Sequence, residues 1–77
     1  MKNKSMLLIE IYHYGSDDMF KRRISESYDS LQDWLNNNAD KWAEGKVVVD
    51  CDDFCFGTIC YNDNPLYIFE THNIALV

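Results

Sequence analysis

Residues 31–51, LQDWLNNNADKWAEGKVVVDC, decide the fold class because their pattern changes from a helix to a strand. Apolar residues first recur every three or four positions, which is the spacing of one helix face, and a run of valines then favours an extended strand. We predict a helix over residues 31–44, with Ser30 as its N-cap and Gly45 as the residue that ends it. Asparagines 36–38 are poor helix formers, so the helix should fray or bend there. The predicted buried face consists of Leu31, Trp34, Leu35, Ala39, Trp42 and Ala43.

The segment before this helix alternates apolar and polar residues, which is typical of strands. We predict a hairpin over residues 6–25 around a Gly-Ser-Asp-Asp turn, with Phe20, Arg22 and Ile24 on one face of its second strand. A continuous helix over residues 17–44 is the alternative, because apolar residues in that stretch also fall at helical spacing.

Three further strands are predicted after the helix, over residues 46–51, 54–61 and 66–71. An Asn-Asp-Asn-Pro turn precedes the last of them. Gly57, inside the second, marks either a bulge or a close approach of the backbone to a neighbour. Residues 1–77 are therefore predicted to form a single small α+β domain. It consists of an antiparallel sheet of about five strands with one helix packed on one face, in the order ββαβββ.

The charge is unevenly distributed along the chain, whose formal net charge is -6. Three of the seven cations form the run 21–23, and only Lys41 and Lys46 follow Ile24, against ten acids. This balance argues against direct binding of nucleic acid or of an anionic membrane, both of which are contacted through Lys and Arg. It favours a basic protein surface as the partner, although acidic side chains also serve solubility alone. The predicted partner-binding residues are Asp29, Asp33, Asp40 and Glu44 on the helix and Asp50, Asp52 and Asp53 at the following turn.

The sequence carries no catalytic or cofactor-binding motif, so we expect neither enzymatic activity nor a cofactor. Cys51, Cys55 and Cys60, with His72, are the candidate metal ligands. Their spacings, C-x3-C and C-x4-C, differ from the close pairs of zinc sites, so we expect no metal and no disulfide. We interpret the cysteines as small buried hydrophobes, with a thiol-based enzyme or sensor as the alternative. The odd cysteine count and the lack of a signal peptide or an apolar span predict a cytoplasmic protein.

Binding interfaces also need aromatic or apolar anchors. Tyr12, Tyr14, Tyr61 and Tyr67 are the expected anchors. The apolar residues 74–77 suit the addition of a strand to a sheet edge, and this predicts a self-associating structural or assembly protein as an alternative, with a homodimer formed through that edge.

The length, the Asp-rich helix 30–44, the acidic turn at residues 50–53 and the ββαβββ order resemble the small acidic inhibitors that phages make against host defence, of the anti-CRISPR type. The resemblance is one of type, and no motif is shared. It implies a non-catalytic protein in the host cytoplasm that occupies the nucleic-acid-binding groove of a defence effector. A DNA duplex carries one charge per about 1.7 Å of its axis, and carboxylates arrayed along a helix can compete for the same basic grooves.

Overall fold

The computed structural model describes residues 4–51 and 55–76, which form five strands and one α-helix in the order ββαβββ. The elements are β1 (Lys4–His13), β2 (Met19–Ser25), α1 (Tyr28–Asn38), a 3₁₀ turn (Ala39–Lys41), β3 (Val47–Cys51), β4 (Phe56–Tyr61) and β5 (Asn64–Leu76). All neighbouring strands are antiparallel. The predicted α+β fold is confirmed.

The strands lie in the order β2-β1-β5-β4-β3, so that the first and last strands of the chain are neighbours in the middle of the sheet. Their ladder runs from Lys4 opposite Leu76 to His13 opposite Tyr67. The apolar C-terminal segment therefore belongs to a central strand. Its backbone is paired with β1 as far as Leu76.

The N-terminal hairpin is confirmed, and the alternative of a continuous helix over residues 17–44 is wrong. The predicted common face of Phe20, Arg22 and Ile24 is also wrong, because the register shifts where β2 passes Ile11 and Tyr12. This bulge turns Phe20 towards α1, whereas Ile24 is 53% exposed on the opposite face.

The helix begins and ends earlier than predicted. Ser27 and not Ser30 is its N-cap, since the Ser27 side chain accepts a hydrogen bond from the Ser30 backbone nitrogen. The α-helix ends at Asn38, whose side-chain nitrogen donates to the Trp34 carbonyl at 2.7 Å. The chain then tightens into the 3₁₀ turn, as expected for the asparagine run.

Gly45 serves the loop before β3 and not the helix end. Its φ is 118°, and a Cβ there would lie 2.7 Å from the Asn62 side-chain nitrogen. Asn62, with a positive φ of 52°, and Asp63, with one of 67°, form the two-residue turn between β4 and β5. The Asn62 side-chain oxygen accepts a hydrogen bond from the Lys46 backbone nitrogen, so this turn also fixes the start of β3.

The core lies between α1 and one face of the sheet. The fully buried residues are Ile9, Ile11, Leu31, Leu35, Ala39, Ile59 and Phe69. Trp34 and Trp42, predicted to be core residues, are only half-buried and pack against the rim of this cluster. Gly57 is a site of close approach, because a Cβ there would lie 2.6 Å from the Cys51 Cβ and 2.8 Å from the Phe69 ring.

Candidate functional site

Four of the predicted partner-binding acids lie together on the helical side of the molecule, and we call them the acidic helix layer. Asp29 and Asp33 are one turn apart on α1, Asp40 lies in the 3₁₀ turn and Glu44 in the loop that follows it. All four side chains are exposed. Within residues 4–51 and 55–76, none of the four forms an ion pair. Their charge is therefore presented to solvent.

The three remaining predicted acids do not extend this layer. Asp50 is exposed on β3 between Val49 and Cys51, which both face the core, so Asp50 lies on the opposite face of the sheet. Asp52 and Asp53 lie outside the described residues. Among the described acids, only the four of the acidic helix layer therefore share one side of the molecule, and a partner contact by Asp50 stays a prediction for the opposite face.

The basic run 21–23 lies on the edge strand β2, where its side chains alternate between the two faces of the sheet. Lys21 lies over the Phe20 ring and Arg23 over the Trp34 ring, each at 5.5 Å from the ring centroid, on the side that carries α1. Arg22 is on the other face, where it pairs with Glu10 in the β1–β2 register. The cations are thus spread along one sheet edge, where they also discourage pairing with another strand.

Two of the four expected tyrosine anchors are in the core. Tyr61 is 3% and Tyr67 7% exposed, and their hydroxyls donate to the backbone carbonyls of Ala39 and Trp42. Burial, followed by the proximity of Tyr67 and of the Asp40 charge, raises the pKa of Tyr61 to about 12. These two tyrosines hold the end of the helix against the sheet, so the prediction that they contact a partner is wrong.

The sheet face opposite α1, which we call the open face, is not covered by any residue within the described ranges. Apolar side chains are exposed there, among them Ile24, Val48, Phe56 and Leu66. Tyr12 is half-buried on the same face, and Tyr14, at the hairpin turn, is 54% exposed. The expected anchors that remain accessible therefore lie on or near the open face.

Three polar side chains meet in the middle of the open face. The Nε2 atom of His72 is 3.2 Å from Oε1 of Glu10 and 3.4 Å from Oε2 of Glu70. Loss of solvation, followed by the charges of Glu10 and Glu70, raises the pKa of the adjacent Tyr12. We call Glu10, Glu70 and His72 the Glu-Glu-His cluster. They are the residues within the described ranges that could hold a metal ion.

A cavity of about 530 Å³ lies next to this cluster and opens to solvent. Glu70 belongs to its wall, together with Tyr12, Ile68 and the turn residues 15–17. One carboxylate of the cluster can therefore be reached by a small molecule from the cavity.

Sequence reasoning missed the Glu-Glu-His cluster because it compared His72 only with the cysteines. Glu10 and Glu70 are far apart in the chain, and no local pattern shows that β1 and β5 pair. The available signal was that Glu10 interrupts the apolar run of β1 and that Glu70 ends the apolar run 66–69 of β5.

The cysteines do not converge on one point. Cys51 is half-buried against the core, whereas Cys60, opposite Val48, is half-buried on the open face. Cys55 is exposed before β4, so the expectation of three small buried hydrophobes is wrong for this residue. No disulfide joins these three cysteines, all of which lie in the described ranges.

No protein-family model, curated protein or solved structure matches the chain. In the part of the chain that the structure describes, no helix combines the length and the apolar character needed to cross a membrane.

Proposed function

We propose that this protein is a non-catalytic binding module whose acidic helix layer contacts a basic surface of another protein. The observation that carries this proposal is the exposure of Asp33, Asp40 and Glu44 without an ion pair to any described cation. Carboxylates that are not neutralised within the molecule create a negative potential that steers a basic partner towards them.

The partner surface that suits this layer best is one that normally holds nucleic acid. Such surfaces array Lys and Arg to contact phosphates, and a row of carboxylates can compete for the same side chains. As the resemblance to anti-CRISPR inhibitors implies, the partner would be a nucleic-acid-binding effector of host defence. Asp29 has a further role, because a negative charge in the first turn of α1 interacts favourably with the positive end of the helix dipole and so stabilises the helix.

Capture of partners from a lysate of the host cell tests the proposal when three forms of the protein are compared. These are the wild type, the layer variant Asp33→Asn/Asp40→Asn/Glu44→Gln, and a control variant, Asp17→Asn/Asp18→Asn/Asp63→Asn. The control changes the net charge equally, and its three residues are exposed in the β1–β2 and β4–β5 turns, outside α1 and the 3₁₀ turn.

The wild type and the control variant should retain the same basic protein, and added nucleic acid should release it. The layer variant should lose it. Equal retention by all three forms, failure of nucleic acid to compete, or no retention by the wild type would contradict the proposal.

Self-association is the second candidate function, because part of β5 has a strand on one side only. Residues 72–76 pair with β1, whereas the ladder between β5 and β4 ends at Glu70. Among the described residues, no strand occupies the other side of 72–76, so a second copy could add one there. Sedimentation over a wide range of protein concentrations tests this candidate, and a constant monomer mass would exclude it.

A further inference from the structure

The Glu-Glu-His cluster is built on the two central strands and not on loops. Glu10 lies directly opposite Glu70, and Leu8 opposite His72, so that His72 is the next residue of β5 on the same face. Glu10 is also paired with Arg22 of β2 and Glu70 with Phe56 of β4. Ladders on both sides therefore fix the backbone at the two glutamates, and the β1 ladder alone fixes it at His72.

We propose that Glu10, Glu70 and His72 bind a divalent transition-metal ion, and that Zn²⁺ fits this site best. In a tetrahedral site with bonds of about 2.0–2.2 Å, neighbouring ligand atoms lie about 3.3–3.6 Å apart. The Nε2 atom of His72 is already 3.2 Å and 3.4 Å from one oxygen of each glutamate. All three ligand atoms lie within 4.8 Å of one another, so rotation of one glutamate side chain closes the third distance.

The chemistry of the three groups favours a cation between them. A neutral imidazole nitrogen carries either one proton or one lone pair, so Nε2 can serve both carboxylates only by sharing a single proton between them. The two carboxylates also repel each other. A metal ion accepts one lone pair from Nε2 and one from an oxygen of each glutamate. All three groups then act as ligands, and the charge of the ion offsets the repulsion between the two carboxylates.

The donor set indicates which ion binds. Imidazole nitrogen suits Zn²⁺ and its neighbours, whereas Mg²⁺ and Ca²⁺ prefer sites made of oxygen alone. This proposal departs from the sequence-based expectation of no metal, which rested on the cysteine spacings and did not consider the glutamates.

The surroundings of the cluster define its second shell and its open position. Tyr12 is two residues from Glu10 on the same face of β1 and would help to orient its carboxylate, as neighbours of metal ligands commonly do. Three protein ligands leave a fourth position free, and the cavity beside Glu70 gives a water molecule or a small anion access to it. Arg22, opposite Glu10, brings a positive charge that should weaken binding of the ion.

Calorimetric titration of the purified, metal-free chain with Zn²⁺ tests the site. We expect one Zn²⁺ per chain and little affinity for Mg²⁺. Replacing a ligand in His72→Asn or Glu70→Gln should weaken Zn²⁺ binding by about tenfold or more. Arg22→Gln should strengthen it, and His13→Asn should leave it unchanged, because His13 packs against Phe20 and Tyr67 on the other face.

Three further measurements do not depend on the folding of the ligand variants, and the first two of them exclude thiol binding. The Co²⁺ complex should lack the thiolate charge-transfer band, and Cys55→Ser should bind Zn²⁺ like the wild type. In the wild-type protein, Zn²⁺ should shift the NMR signals of the His72 ring and leave those of the His13 ring in place. The proposal is overturned if Zn²⁺ does not bind, leaves the His72 signals unmoved or binds through Cys55.

Discussion

The Tyr61 hydroxyl on β4 donates a hydrogen bond to the backbone carbonyl of Ala39, at the point where α1 gives way to the 3₁₀ turn. The Tyr67 hydroxyl makes a longer contact of 3.4 Å with the Trp42 carbonyl. The Ala39 carbonyl also accepts a hydrogen bond from the Trp42 backbone nitrogen at 3.2 Å, so the sheet supplies its second partner. This link sets the position of Asp40, and with it part of the acidic helix layer, relative to the sheet.

Tyr61→Phe should destabilise the fold by about 1 kcal/mol at neutral pH, because a buried hydrogen bond to a carbonyl is lost. Denaturant unfolding measures this loss. Tyr67→Phe should have a smaller effect, since its contact is longer. Equal losses of unfolding free energy in the two variants would contradict the prediction that the Tyr61 hydrogen bond contributes more than the Tyr67 contact.

The raised pKa of Tyr61 predicts that the stability of the fold decreases at alkaline pH. Because the pKa of Tyr61 is raised from 10.0 to about 12 in the folded protein, its contribution is complete below pH 10. It is then lost as the pH rises from about 10 towards about 12, since the unfolded chain releases this proton more easily. The difference in unfolding free energy between the wild type and Tyr61→Phe should fall across that range, and a constant difference would contradict this prediction.

Ser27→Ala should cost about 1 kcal/mol of stability, because it removes the side-chain cap of α1. Ser30→Ala is the matched control. It lies within α1, where alanine is the better helix former, and should be neutral or slightly stabilising. Thermal unfolding of both variants measures this, and a larger loss for Ser30→Ala would place the start of the helix where the sequence analysis put it.

Trp42→Ala should destabilise more than Trp34→Ala. Trp42 packs against Phe20, Tyr67 and Trp34, whereas Trp34 contacts Trp42 and lies beneath Arg23. Both side chains are half-buried, so we expect losses of about 2 kcal/mol for Trp42 and about 1 kcal/mol for Trp34, below the ~3–5 kcal/mol of a fully buried site. Unfolding in denaturant measures both losses, and the reverse order would contradict the packing described here.

The elements of the fold were predictable because each has a local signal. The alternation in β1, the apolar period of α1 and the Asn62-Asp63 turn are all readable within a few residues. The bulge that places Phe20 and Ile24 on opposite faces was not predictable from a local pattern, since it depends on how β2 pairs with β1. The asparagines indicated a fray or bend near the end of α1, but the start of the helix was missed, because Ser30 suits an N-cap as well as Ser27 by residue type.

The candidate sites were less predictable than the fold. Exposure of the helix acids followed from the amphipathic pattern, whereas the position of Asp50 on the other face depended on the orientation of β3. The burial of Tyr61 and Tyr67 could not be distinguished from exposure by residue type alone. The Glu-Glu-His cluster arises from a β1–β5 ladder that joins the two ends of the chain, and no local rule gives that register.

The measurement that tests the central proposal most directly is the salt dependence of binding to the captured partner. We predict that the affinity of the wild type falls as salt screens its exposed carboxylates. The layer variant, Asp33→Asn/Asp40→Asn/Glu44→Gln, should bind several-fold to tens-fold more weakly at low salt and depend less on salt. Each exposed pair contributes only ~0.2–1 kcal/mol, so the combined change is needed to see the effect. The control variant, Asp17→Asn/Asp18→Asn/Asp63→Asn, should resemble the wild type. If all three proteins show the same affinity and the same salt dependence, the acidic helix layer is not the binding surface.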